Sequence, residues 1–73
     1  MNVHELTRLQ MAELKADYLD RLAEQGAFSE VMDVDYDYPT DEDFANASEL
    51  VPDDVIFREY EYTEFEPEYF FNT

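Results

Sequence analysis

The chain has no cysteine, one glycine, one histidine and only four Lys or Arg residues against twenty Asp or Glu. Without thiols there is no disulfide, no thiolate zinc site and no cysteine nucleophile, a usage that fits a cytoplasmic protein. The one histidine, His4, lies beside Glu5 and has neither a Ser-His-Asp arrangement nor a glycine-rich phosphate loop to serve. Carboxylates are too numerous to single out an acid–base pair, which needs one carboxyl group held in an apolar pocket. The expectation is binding rather than catalysis, with no cofactor. Long hydrophobic runs are also missing: Asn2, His4, Glu5, Thr7 and Arg8 interrupt the start, so neither a signal peptide nor a membrane span is expected. One Gly and three Pro are too few for a linker-like chain.

What the chain has in excess is negative charge, unevenly placed. Residues 29–73 hold fifteen carboxylates and one cation, Arg58, for a net −14; residues 1–28 hold five carboxylates and three cations, for −2. Self-repulsion on that scale costs folding free energy, so it points to a strongly positive partner. The chain is still expected to fold. Leu, Ile, Val and Phe make 18 of the 73 residues, above the roughly 20% below which disorder is expected, and six tyrosines add aromatic area. A single small domain, residues 1–73, follows from the length, burying only about 60% of its unfolded surface.

Residues 1–26 read as an amphipathic helix. Asn2 caps it, Glu5 reaches back three residues later as in a capping box, and Gly26 supplies the left-handed stop. Val3, Leu6, Met11, Leu14, Tyr18 and Leu22 share about 160° of arc, with Leu9 and Leu19 outside that stripe. Asp17 and Arg21 are spaced to pair on its solvent side. In residues 30–38 Met32, Val34, Tyr36 and Tyr38 alternate with Asp33, Asp35 and Asp37, the period of a half-buried strand that Pro39 ends. Its one candidate partner is 60–65. If they pair, the fold is α+β; otherwise 30–38 is an extended loop in a mainly α fold, which is the arrangement expected here. Thr40 followed by Asp41, Glu42 and Asp43 marks a second helix start, and Pro52 at the first helical position, with Asp53 and Asp54, marks a third. Pro67 breaks the segment after Tyr60, and Tyr69, Phe70 and Phe71 are expected to fold back on the core.

Asp33, Asp35, Asp37 and Asp41 fall on positions 1, 3, 5 and 9 of a calcium loop. Position 6 is then Tyr38 in place of glycine and position 12 is Phe44 in place of a bidentate Glu, so no metal site is expected. Rows of carboxylates suggest another chemistry. Alternate residues of a strand lie about 6.6 Å apart, so Asp33, Asp35 and Asp37 would form a line of charge. Duplex DNA carries about one charge per 1.7 Å, read largely by Arg and Lys. A second row, Glu59, Glu61, Glu64, Glu66 and Glu68, interleaves with Tyr60, Tyr62, Phe65 and Tyr69, and aromatic anchors supply the buried contact that charge alone does not. With Asp41, Glu42, Asp43, Asp53 and Asp54, these rows make the candidate partner surface, Tyr60 and Tyr62 being its anchors.

The run from Glu49 to Phe57, then Thr63-Glu64-Phe65 and Tyr69-Phe70-Phe71, resembles a family of short, acidic, uncharacterised proteins encoded by gut bacteria and their mobile elements. Asn2 to Thr7 and Glu13-Leu14-Lys15 fit the same family, and the chain departs from it at Asn72, where the family has cysteine. The family brings no site residues. The resemblance implies a mobile-element origin, and by size and charge such proteins are similar to DNA-mimicking inhibitors of CRISPR and restriction enzymes. The implied partner is a basic nucleic-acid-binding protein in the cytoplasm of a bacterial host, with no direct contact to nucleic acid or membrane. A homodimer is left open. The alternative is a small acidic regulatory module that binds its partner through Leu9, Leu19 and the C-terminal aromatics.

Overall fold

Two capping boxes compete for the N-terminal segment, and in the computed structural model, which describes residues 1–66, both form. Asn2 Oδ1 accepts from the His4 amide while Glu5 Oε1 accepts from the Asn2 amide, and this box heads only a 3-10 turn, Val3–Glu5. Leu6 is extended, and Thr7 then opens α1, Arg8–Glu24, with its hydroxyl accepting from the Gln10 amide and Gln10 Oε1 accepting from the Thr7 amide. The expected single helix from residue 2 is therefore broken at Leu6, because the second box satisfies the first-turn amides of a new helix. Leu6 and Met11 take the N′ and N4 positions of a hydrophobic staple, and both pack against the core.

At its other end α1 stops as expected. Gly26 has φ +70°, its amide donates to the Ala23 carbonyl, and the Ala27 amide donates to that of Leu22, the paired bonds of a Schellman motif. Four more helices follow among the described residues: α2, Phe28–Met32; α3, Asp41–Ala45; α4, Ala47–Leu50; and α5, Asp53–Glu59. The fold is mainly α, with no strand among the described residues.

Helix α1 is the centre of the molecule. Helices α2, α3 and α4 pack against it, while α5 packs against the 3-10 turn. Gln10, Leu14, Lys15, Tyr18, Leu19, Leu22 and Ala23 are all buried, which widens the covered arc to roughly 220°. Leu19, placed outside the stripe by its periodicity, is thus fully buried, because a helix wrapped by neighbours on two sides has no single apolar face. With Leu14, Val3, Phe28, Val51 and Ile56 it forms the most deeply buried set, each large apolar side chain contributing about 1.5–3 kcal/mol.

Residues 30–38 form no strand. Glu30 to Met32 belong to α2, and Asp33 ends that helix in the left-handed conformation, φ 58° and ψ 50°, with its amide donating to the Ser29 carbonyl. Asp is one of the few residues that visits this region, so a residue placed in the acidic row by alternation is instead a helix stop. The alternation reports burial only in its first half: Met32 and Val34 are half-buried against the core and Asp33, Asp35 and Asp37 are exposed, but Tyr36 and Tyr38, of the same parity as Met32, are exposed as well. Residues 60–65 are not a strand either. The Thr63 amide donates to the Tyr60 carbonyl in a turn, and the chain then reaches Met1, where the Phe65 amide donates to the Met1 carbonyl at 2.7 Å and the Met1 ammonium to the Phe65 carbonyl at 2.9 Å. Pro52 sits one position earlier than expected, as the extended N-cap of α5, which leaves Asp53 and Asp54 in the first turn where the helix dipole favours them. The expected return of Tyr69, Phe70 and Phe71 to the core lies outside the described residues.

Candidate functional site

The acidic surface is built on short elements, of which α3 carries a full capping box. Thr40 opens α3: its hydroxyl accepts from the Asp43 amide, and Asp43 Oδ2 accepts from the Thr40 amide at 3.0 Å and from the Tyr36 hydroxyl at 2.8 Å. Those donors, the Thr40 amide first, hold the Asp43 carboxyl below its ordinary range. The same bond to Asp43, reinforced by Asp35 and Glu42, raises Tyr36, which stays a neutral donor. Tyr36 also packs its ring 5.8 Å from that of buried Phe28. The stretch from Asp33 to Asp43 is thus anchored at both ends, by α2 and by the α3 cap. Asp33, Asp35, Asp37, Asp41 and Glu42 point carboxylates to solvent, and among the described residues none of them is in an ion pair. Tyr38, 72% exposed, stands among them.

The second group is more divided. Glu59, Glu61 and Glu66 are exposed, with Tyr62 at 95% exposure beside Glu61. Glu64 pairs with the Met1 ammonium at 3.3 Å. Asp54 is exposed in the first turn of α5, whereas its neighbour Asp53 accepts from Lys15. Glu68 lies outside the described residues. Tyr60, expected as an anchor, is 4% exposed and belongs to the core, with ring neighbours Tyr18 and Phe65 and the Arg21 guanidinium 5.3 Å from its ring centre. Burial raises the pKa of both Tyr60 and Tyr18. Among the described residues Tyr62 and Tyr38 are the most exposed rings.

Among the described residues no group of three or more His, Asp or Glu converges as metal ligands, and no helix is long and apolar enough to cross a membrane. The sequence reading missed the opposite charge. Lys15 is buried between α1, α4 and α5, donating to Asp53 and, at 3.1 Å, to the carbonyl of Ser48, the second residue of α4. The signal was present: once Leu19 counts with Leu14 and Leu22, Lys15 falls inside the apolar arc. Comparison with family models, curated proteins and solved structures finds no match to this chain.

Proposed function

We propose that the protein is a DNA mimic, an inhibitor whose carboxylates occupy the nucleic-acid groove of a basic host defence protein, a CRISPR effector in the first instance and a restriction enzyme in the second. It acts by binding, in the cytoplasm of a bacterial host, and touches no nucleic acid itself. Asp33, Asp35, Asp37, Asp41 and Glu42 meet the Arg and Lys that otherwise hold phosphates, Asp54, Glu59, Glu61, Glu64 and Glu66 extend the acidic surface, and Tyr62 and Tyr38 anchor the contact.

One observation carries this reading: from Asp33 to Glu42 the carboxylates are exposed and, among the described residues, without cation partners, on backbone held at its ends by a left-handed stop and a capping box. Charge presented on an ordered scaffold is pre-organised for binding, because less conformational entropy is lost on contact. A solvated acidic face needs no such scaffold. Affinity for the target should fall steeply with salt, as ion release from phosphate contacts does for DNA. Replacing Asp35 and Asp37 by Lys and Asp33 by Asn, which keeps its left-handed helix stop, should abolish binding with helix content unchanged by circular dichroism. Salt-insensitive binding that survives this triple change defeats the proposal.

A second reading, an acidic regulatory module with an apolar contact, is favoured by Leu9, 52% exposed on α1, and by Tyr62. Leu19 is in the core and drops out of it. Binding through those side chains would be lost in Leu9→Ala and would not weaken with salt.

A further inference from the structure

We propose that the cleft between the 3-10 turn, the first half of α1 and α5 binds a small organic anion, a carboxylate or phosphate monoester carried on an apolar body. Of the candidate acidic surface only Asp53, held by Lys15, lines this cleft. The cleft encloses ≈ 450 Å³, within the roughly 300–1,000 Å³ of small-molecule sites. Its apolar wall includes Leu6, Met11 and Phe57. Its charged lining runs against the rest of the molecule: Arg8 and Lys15 supply two cations against one carboxylate, Asp53, in a chain of net charge −16. His4 stands at the same cleft with its ring centre 4.7 Å from that of Phe57.

Lys15 makes the cleft more than a surface groove. Its side chain is 5% exposed and its ammonium donates to two protein acceptors, Ser48 O and Asp53 Oδ1. An ammonium has three N–H donors, so one remains, and a buried donor without an acceptor is costly. An anion in the cleft takes that donor, and Arg8 lines the same cleft. Thr7 and Arg8 also bring the positive end of the 17-residue helix α1 to the cleft wall. Repulsion from the remaining carboxylates is screened beyond about 8 Å at 0.15 M salt, so the local cations decide the outcome there.

The test is an amide chemical-shift titration of the labelled protein with phenyl phosphate, in about 0.15 M NaCl. Expected are saturable shifts confined to residues 3–15, 48, 53 and 57 and their immediate neighbours, with a Kd of about 1 mM or tighter. Arg8→Gln, at an exposed position, should weaken binding about tenfold, whereas Arg21→Gln, the same change in charge away from this cleft, should change it less than about twofold. Phenol should not bind. Shifts that fail to saturate by about 20 mM, equal affinity in Arg8→Gln, or equal binding of phenol would each overturn the anion site. Inorganic phosphate binding as tightly as phenyl phosphate would remove the apolar body from the proposal.

Discussion

Lys15 Nζ, on α1, lies 2.5 Å from Asp53 Oδ1 at the first residue of α5, and the same ammonium holds the Ser48 carbonyl of α4. One buried cation therefore joins three elements, and the two partners should respond to mutation unequally. Asp53→Ala leaves a buried ammonium short of an acceptor and should cost about 1–3 kcal/mol, even though it lowers the net charge. Lys15→Met frees a carboxylate already open to water and keeps an apolar stem of similar length, so its loss should be smaller, although it makes the chain more negative. Urea melts of both variants check the order. The reverse order would mean that net charge outweighs the buried contact.

The rest of the charge should act in the opposite sense, as a stress on the fold. Repulsion among the carboxylates of residues 29–73 is screened by salt, so raising NaCl from about 0.02 to 0.3 M should raise the melting temperature by several degrees. For a domain of this size about 1 kcal/mol corresponds to roughly 4–8 °C. A melting temperature that stays flat or falls would mean the acids are neutralised within the fold.

Tyr60 separates core from surface. Its hydroxyl is buried without a hydrogen-bond partner, so Tyr60→Phe should be neutral or stabilising by up to about 1 kcal/mol, whereas Tyr60→Ala should cost about 3 kcal/mol or more through the cavity it leaves. Burial also raises the Tyr18 and Tyr60 pKa in the folded state. Above the ordinary value of 10.0 the unfolded chain ionises first, so the stability these phenols contribute is complete below that pH and is lost as pH rises beyond it. Alkaline melts of Tyr60→Phe should fall less steeply than those of the parent. An equal fall would place the relevant ionisation elsewhere.

Asp43 controls the acid side. Its folded pKa is depressed by the Thr40 amide and the Tyr36 hydroxyl, so its contribution is present above 3.8 and is lost as pH drops through the lower folded value. Asp43→Asn should lower stability at neutral pH and flatten the decline below 3.8, read from thermal melts across that range. A parallel decline in parent and variant would show that the capping contacts carry no pH dependence.

The elements most legible in the sequence were those with local chemistry. Thr40 with its three following acids, Gly26, and Asn2 with Glu5 all act where their side chains predict, because caps and left-handed stops need only neighbouring residues. Asn2 could not reveal that Leu6 breaks the helix, since Thr7 and Gln10 set up an equally good start. Alternation over 30–38 gave the correct inside and outside at Met32, Val34 and the three aspartates but neither a strand nor burial of Tyr36 and Tyr38, because a helix end followed by bends carries the later residues away from the core. Lys15 and Tyr60 were hidden because their burial comes from distant elements: α4 and α5 cover Lys15, and Tyr60 packs with Tyr18 and Phe65.

The most direct measurement of the central claim is duplex or guide-RNA binding by a candidate CRISPR effector with this protein added at several salt concentrations. Mimicry predicts competitive displacement, with affinity falling about tenfold or more as salt rises a few-fold. The triple change of Asp33 to Asn with Asp35 and Asp37 to Lys, or the reversal of Glu61, Glu64 and Glu66, should restore nucleic-acid binding. Tyr62→Ala should weaken inhibition by about 1–2 kcal/mol independently of salt. Simultaneous binding of protein and nucleic acid, or undiminished inhibition by both triple variants, would contradict the account.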